Sequence, residues 1–110
     1  MKTIIISGPS ASGKTTIADS LMKLIGGGFK TSYKNETWLR DLVNALPDLD
    51  VLLIDEVPTE LAIDSCRKMV SIYGFGNRRV VPKVLIICTQ CDISPTDWPA
   101  DQVDTIVRLK

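Results

Sequence analysis

A glycine-rich segment near the start of the chain restricts the possible folds more than any other feature. Four residues that favour a buried strand, 3–6, lead into the sequence GPSASGKT at residues 8–15, and a helical pattern begins at Lys14. A strand, a glycine loop and a helix in this order are the context in which the pattern indicates a phosphate-binding loop. At average glycine usage, a chain of this length would match the pattern by chance only about a few times in a thousand. An ordinary glycine turn is therefore the weaker interpretation.

The residue types in this loop each have a chemical reason. Gly8 and Gly13 allow backbone conformations that a Cβ would hinder, so that successive N–H groups can face an anion. The positive end of the following helix faces the same anion. The Lys14 ammonium can reach the β- and γ-phosphates, and the Thr15 hydroxyl can coordinate Mg²⁺. The predicted nucleotide-binding residues are Gly8, Pro9, Ser10, Ala11, Ser12, Gly13, Lys14, Thr15 and Thr16.

A second apolar run ends in two carboxylates. Residues 51–54 are uninterrupted and do not alternate, which is typical of a strand buried on both faces of a parallel sheet. Asp55 and Glu56 close this strand, and Val57 is predicted to turn away from it. Because ligands of open parallel sheets bind beyond the carboxyl ends of the strands, Asp55 is predicted to lie near Thr15 and to hold Mg²⁺ directly or through water. Glu56 is the predicted base for an attacking water. The alternative is a solvated strand end.

A third apolar run, residues 84–88, ends in Thr89 and Gln90. A polar side chain at this position can contact the attacking water or the γ-phosphate, and the pattern favours Gln90 over Thr89 for that role. An ordinary polar strand end is an equally open interpretation. The predicted catalytic residues are thus Lys14, Glu56 and Gln90.

A turn-rich loop carries Arg78 and Arg79, with Lys83 close behind. These residues could complete the site of a neighbouring subunit or contact nucleic-acid phosphates. A solvated turn is the favoured interpretation. Cys88 and Cys91 form a C-x-x-C pair, but a redox pair normally opens a helix, whereas Cys88 ends a buried strand. One such pair excludes a four-cysteine zinc site, so coincidence is favoured.

Composition limits the class of protein. The 110 residues, 45% of them apolar and 24% charged, suit one globular domain spanning residues 1–110. Thirteen basic residues balance thirteen acidic ones, so net charge indicates neither a nucleic-acid nor a membrane partner, although a local patch is left open. No apolar run approaches the roughly 18 residues of a membrane span. Since the first strand follows Met1 at once and the cysteine count is odd, we expect no signal peptide and a cytoplasmic location.

Strand-like and helix-like segments alternate along the chain. Helices are predicted over residues 14–25, from a cap at Asn35 or Thr37 through residue 46, and from a cap at Thr59 to residue 73; further strands are predicted over residues 29–33 and 105–109. In the third helix, the residues predicted to face the core are Leu61, Ile63, Met69, Val70 and Ile72. This alternation predicts a three-layer α/β/α sandwich around a mostly parallel five-stranded sheet.

With the loop, the acidic strand end and the polar strand tip in this order, the sequence resembles P-loop NTPases of the AAA+ group and the related superfamily 3 helicase domains of small viral replication initiators. Residues 82–90, followed by Ser94, Pro95 and Trp98, are similar to the helicase pattern. The resemblance implies the P-loop NTPase fold with sheet order 5-1-4-3-2, ATP and Mg²⁺ as cofactors, ATP hydrolysis, and a role in a larger ATPase assembly or in DNA replication.

The sequence departs from this family pattern in three places. The strand-tip residue is commonly Asn, and here it is Gln90. Asp101 and Asp104 occupy the stretch where many AAA+ members have an arginine. The sequence ends at Lys110, so that no helical lid and an open site are expected.

Two other functions stay open on the sequence. GPSASGKT is also similar to the loops of nucleoside and nucleotide kinases, which need an acceptor pocket and an arginine over the phosphates. Arg67, Arg78 and Arg79 are the predicted sources of such an arginine. The third possibility is a nucleotide-binding module that regulates an assembly without hydrolysis.

Overall fold

The computed structural model describes residues 1–9, 13–47, 49–73, 81–93 and 105–109. The elements run β1 (Lys2–Ser7), α1 (Lys14–Ile25), β2 (Phe29–Ser32), α2 (Glu36–Ala45), β3 (Val51–Val57), α3 (Glu60–Tyr73), β4 (Val84–Thr89) and β5 (Thr105–Arg108). The alternation is confirmed, and α1 has the predicted bounds. Predictions for several residues fall outside the described part of the chain: Ser10, Ala11, Ser12, Arg78, Arg79, Ser94, Pro95, Trp98, Asp101 and Asp104.

The five strands form one sheet in the order β2-β3-β4-β1-β5, and every recorded pairing is parallel. Read from the other edge, this is the order 5-1-4-3-2 that the resemblance implied. The central strands carry the apolar runs, with β4 buried along its whole length, whereas the edge strands β2 and β5 are partly exposed. Because all strands point the same way, their carboxyl ends lie at one edge of the sheet.

Helices cover both faces of the sheet, as predicted. On one face, α2 and α3 pack through Leu39, Val43 and Ile63 against residues that include Ile5 and Ile87. On the other face, α1 packs through Ala18 and half-buried neighbours against a second apolar cluster. The chain is therefore an α/β/α sandwich. None of the described helices has the length and apolar character that a membrane crossing requires.

Helix α3 presents a different face to the core from the one expected. Leu61 and Ile72 are exposed, at 75% and 67%, while Ala62 and Cys66 are buried together with Ile63. On a helix of 3.6 residues per turn, positions 63, 66 and 70 lie along one side, and positions 61 and 72 lie on the opposite side. The prediction for Leu61 and Ile72 was wrong because it followed apolar character instead of helical spacing.

Local signals set the ends of the helices. The Asn35 side chain accepts a hydrogen bond from the Trp38 N–H at 2.8 Å, so Asn35 and not Thr37 caps α2. Thr59 caps α3 as predicted, since its hydroxyl accepts from the Ala62 N–H at 3.0 Å. Gly28 follows α1 where the backbone passes very close to β3, and a Cβ on Gly28 would lie 2.1 Å from the Val51 carbonyl oxygen.

Candidate functional site

Lys14 joins the start of the glycine loop to the first turn of α1. Its side chain is nearly buried, and its Nζ donates to the carbonyl oxygens of Gly8 and Pro9, both at 2.7 Å. An ammonium has three N–H donors, so these two bonds do not exhaust it. Gly13 precedes the helix with φ +88°, in the left-handed region that favours glycine. Gly8 is not among the described residues with positive φ, so the backbone conformation that favours glycine is present at Gly13 and not at Gly8.

Thr15 and Asp55 meet across the carboxyl edge of the sheet. The Thr15 hydroxyl, on the first turn of α1, donates to Asp55 Oδ2 at 3.1 Å. The other carboxylate oxygen, Oδ1, accepts from the Glu56 N–H at 2.8 Å. The Asp55 carboxylate is therefore held by contacts at both oxygens, beside the first turn of the helix. The predicted proximity of Thr15 and Asp55 is present.

Strand β3 does not end where the sequence suggested. It continues through Val57, with a register shift against β4 between Ile54 and Val57. One extra residue in β3 at this point is a β-bulge, a feature that redirects side chains near active sites. Glu56 lies in the bulge with φ +58°, and it is exposed. The expected break at Val57 was wrong because β3 resumes pairing with β4 after the bulge.

Thr89 has a structural role at the tip of β4. Its side chain is fully buried; the hydroxyl donates to the Val57 carbonyl oxygen at 2.6 Å and accepts from the Cys91 N–H at 3.0 Å. The Ser7 hydroxyl donates to the Cys91 carbonyl oxygen and accepts from the Ile93 N–H at 3.4 Å. These two hydroxyls fasten the segment after β4 to β1 and β3. Both residues are therefore hydrogen-bonded inside the protein.

Gln90 lies between Thr89 and Cys91 in the sequence. It is exposed and lines a cavity of about 420 Å³. The cavity is lined by Ser7, Gly8, Pro9, Gln90, Asp92, Arg108 and Leu109. Arg108 pairs with Asp92 at 2.6 Å, and the two side chains are 49% and 82% exposed. Gln90 thus lies beside the start of the glycine loop, while Thr89 is turned into the core.

Arg108 and Asp92 line this cavity, and the sequence pattern did not indicate either of them. Arg108 stands opposite Ser7 in the pairing of β5 with β1, and Asp92 follows the tip of β4. The signal that could have identified Arg108 was the sheet order itself, because β5 beside β1 brings its carboxyl end to the glycine loop. Arg67, by contrast, pairs with Asp64 at 3.1 Å on α3.

The remaining predicted residues have simpler surroundings. Thr16 is exposed in the first turn of α1, and Lys83 is an exposed residue 3.6 Å from Asp50. Trp38 is half-buried against the core and makes an edge-to-face contact with Tyr33, with ring centroids 6.3 Å apart. These contacts give Trp38 a packing role.

The cysteines are free thiols. Burial, reinforced by the Asp55 carboxylate, raises the pKa of Cys88 to about 12. Burial also raises the pKa of Cys66 to about 12, with a further contribution from Glu36. Cys91 donates its thiol proton to the Pro58 carbonyl oxygen at 2.9 Å. Because thiol exchange requires the thiolate, these surroundings of Cys88 disfavour redox chemistry at the C-x-x-C pair.

The donor set at the carboxyl edge is compatible with magnesium. Mg²⁺ prefers oxygen ligands at 2.0–2.1 Å in octahedral geometry, which places neighbouring ligand oxygens about 2.9 Å apart. The Thr15 hydroxyl and Asp55 Oδ2 are 3.1 Å apart. A hydroxyl and a carboxylate at this separation therefore fit the ion.

Solved structures with a similar fold cover almost the whole chain. Two structures of RuvB variants from Thermotoga maritima match with TM-scores of 0.66 and 0.65 at 17% and 16% identity, covering 100% of this chain and 38% of theirs. PCH-2 from C. elegans matches with a TM-score of 0.51 at 16% identity, covering 98% of this chain and 35% of that one. No family model matches the sequence, and no curated protein does.

These likenesses show the fold, which is the P-loop arrangement found in AAA+ domains such as that of RuvB. The chain spans 38% of the length of the RuvB chains and 35% of PCH-2. The finer resemblance to superfamily 3 helicase domains stays a prediction.

Proposed function

We propose that this chain is the ATP-binding core of a magnesium-dependent ATPase. The observation that carries the proposal is the placement of three groups at the carboxyl edge of the sheet: the Lys14 ammonium on the carbonyl oxygens of the loop, and the Thr15 hydroxyl bonded to the Asp55 carboxylate. A cation, a hydroxyl and a carboxylate beside the N-terminus of α1 are what a nucleotide polyphosphate with its metal ion requires. The fold likeness supports the proposal.

The residues have separate roles in this proposal. Loop amides and Lys14 would bind the phosphates, and Thr15 and Asp55 would hold Mg²⁺, which would neutralise the negative charge of the phosphates while the γ-phosphoryl group passes to water and ADP leaves. Glu56 accepts a proton from the attacking water, for which its exposed position in the bulge leaves the carboxylate accessible. Gln90, which directly follows β4 beside β3, orients that water or contacts the γ-phosphate.

Calorimetry with ATP and Mg²⁺ tests the binding half of the proposal. Wild-type protein should bind ATP, and Lys14→Ala should reduce the affinity below detection. Lys23→Ala removes the same charge from the last turn of α1 and should bind like wild type. Retained binding by Lys14→Ala would remove the assigned site.

Phosphate release at steady state tests the catalytic half. Glu56→Gln keeps the size of the side chain and removes its basicity, so it should lower kcat by about 10²–10⁴-fold while leaving ATP affinity unchanged. Equal rates for wild type and Glu56→Gln would exclude Glu56 as the base. ATP binding without any release by the wild-type chain would favour a non-hydrolysing regulatory module.

A small-molecule kinase is the second candidate, and one observation favours it. The cavity beside the glycine loop has the room of a small-ligand pocket, and Arg108 supplies an arginine at its wall. A kinase should produce ADP only when a nucleoside, nucleotide or other hydroxyl acceptor is added. Stimulation of ADP production by such an acceptor would replace the ATPase proposal.

We further propose that the chain works in a larger ATPase assembly. Two measurements of ATP turnover test this role and the alternative of a role on nucleic acid. A rate of ATP turnover per protein molecule that rises with protein concentration would indicate self-association. Turnover that rises with single-stranded DNA and falls with added salt would indicate a helicase-like role linked to replication or a mobile element.

A further inference from the structure

The cavity lined by Gln90, Asp92 and Arg108 is continuous with the phosphate loop but lies away from the metal-binding pair. Gly8 and Pro9 belong to both places: their carbonyl oxygens are bonded by Lys14, and the same residues form part of the cavity wall. Thr15 and Asp55 do not line it. A ligand anchored on the loop by its phosphates therefore has space for its remainder on this side.

The sheet order shows on which side of the glycine loop the cavity lies. Asp55 is on β3, and Arg108 is on β5 at the opposite end of the order β3-β4-β1-β5. With strands about 4.8 Å apart, three steps along the sheet separate the two ends by about 14 Å. The glycine loop, which follows β1, lies between them. An elongated anion with its metal-bound phosphates over β3 and β4 would extend towards β5.

The lining is suited to a planar heterocycle with a sugar. A volume of about 420 Å³ is within the range of small-molecule pockets and far exceeds the needs of one phosphate group. The guanidinium of Arg108 is planar and stacks on aromatic faces. Asp92 is 82% exposed, so its carboxylate keeps acceptor capacity beyond the bond to Arg108. Pro9 and Leu109 add apolar surface to the wall of the cavity.

Stability does not account for the Arg108–Asp92 pair. Both side chains are substantially exposed, and ion pairs of this kind contribute little to folding because solvent screens them. Its position at the carboxyl edge, opposite Ser7 in the β1–β5 pairing, puts the pair where a ligand would contact it.

We propose that this cavity receives the nucleoside part of the bound nucleotide, with the Arg108 guanidinium against the face of the base and the Asp92 carboxylate accepting from N–H groups on its edge. The inference rests on the proposed nucleotide-binding function. It assigns recognition of the base to β5 and the segment after β4, and recognition of the phosphates to the loop.

Two ligands that share phosphates and differ in the nucleoside separate these contributions. Calorimetry with Mg²⁺ would compare ATP with inorganic tripolyphosphate for wild type, Arg108→Ala and Arg108→Lys. Arg108→Ala should weaken ATP binding about tenfold, because a stacking and hydrogen-bonding contact is lost, and should leave tripolyphosphate affinity within about twofold. Arg108→Lys keeps the charge but not the planar fork, so it should also weaken ATP selectively.

The matched control is Arg40→Ala, which removes an exposed arginine on α2. It should change neither affinity, and circular dichroism would verify that each variant is folded. Should Arg108→Ala fail to fold, Arg108→Lys and Asp92→Asn carry the same comparison. Equal effects on both ligands, or no effect on ATP, would overturn the inference while leaving the phosphate site intact. Failure of wild type to bind either ligand would instead overturn the proposed function and the inference with it.

Discussion

Replacing Thr89 with valine tests how the carboxyl ends of three strands are held together. Valine has the shape of threonine, so Thr89→Val removes the hydroxyl and leaves no cavity. In the native chain, that hydroxyl is fully buried and makes two bonds, to the Val57 carbonyl oxygen at 2.6 Å and from the Cys91 N–H at 3.0 Å. The substitution therefore leaves an acceptor on β3 and a donor after β4 without their partner.

The expected loss of stability follows from these two bonds. Each hydrogen bond contributes about 1 kcal/mol net, and each buried group left unpaired costs about 1–3 kcal/mol. We expect Thr89→Val to lower the free energy of unfolding by about 3 kcal/mol. Native domains have about 5–15 kcal/mol in total, so the variant should still fold. Thr89→Ser keeps the hydroxyl and loses one methyl group, which costs about 1 kcal/mol.

Urea unfolding followed by circular dichroism measures both variants. The midpoint for Thr89→Val should fall by about 1–2 M at unchanged m-value, and the midpoint for Thr89→Ser by less than half as much. Amide hydrogen exchange at Cys91 should accelerate in Thr89→Val beyond the change in global stability, because its acceptor is gone. A midpoint for Thr89→Val at or above that of Thr89→Ser would refute the reasoning, since the methyl group would then matter more than the hydroxyl.

Three further predictions concern stability away from this network. The folded-state pKa values of Cys66 and Cys88, raised to about 12, lie above the value of 9.0 for an unperturbed thiol, so the unfolded chain loses these protons first as pH rises. The two protonated thiols stabilise the folded chain fully below about pH 8.5, and this contribution is lost as pH rises towards 12, by about 1.4 kcal/mol per thiol between pH 8 and 10. Replacing both cysteines with alanine should therefore flatten the decline of the free energy of unfolding with pH, measured by urea titration. An unchanged decline would contradict the assignment. Gly28→Ala should cost about 1–3 kcal/mol, because the Val51 carbonyl oxygen lies 2.1 Å from the new Cβ, and a thermal midpoint equal to wild type would disprove the close approach. Asn35→Ala should cost about 1 kcal/mol in the same melt through loss of the α2 cap, while Asn35→Asp should retain the native midpoint.

Much of the fold could be predicted because each of its determinants is local. The buried runs of β3 and β4 are continuous in sequence, and the cap at Thr59 is a single residue with a known preference. The glycine loop is likewise a contiguous pattern with its lysine and threonine. The bulge at Glu56 was not predictable, because it depends on the pairing of β3 with β4 and leaves no local pattern. The buried face of α3 could have been predicted from helical spacing. The prediction was wrong for Leu61 and Ile72 because it followed the apolar character of the residues.

The sequence by itself determined the glycine loop before α1, the adjacent carboxylates in the β3 segment and the alternation of strands and helices, since each depends on neighbouring residues. Only the tertiary structure decided which distant groups meet. It brings Thr15 to Asp55, forty positions apart, and Arg108 to Asp92 beside the loop. It also turns Thr89 into the core and leaves Gln90 exposed. The physical reason is that sheet order and register place the strand ends, and neither is encoded by any single segment.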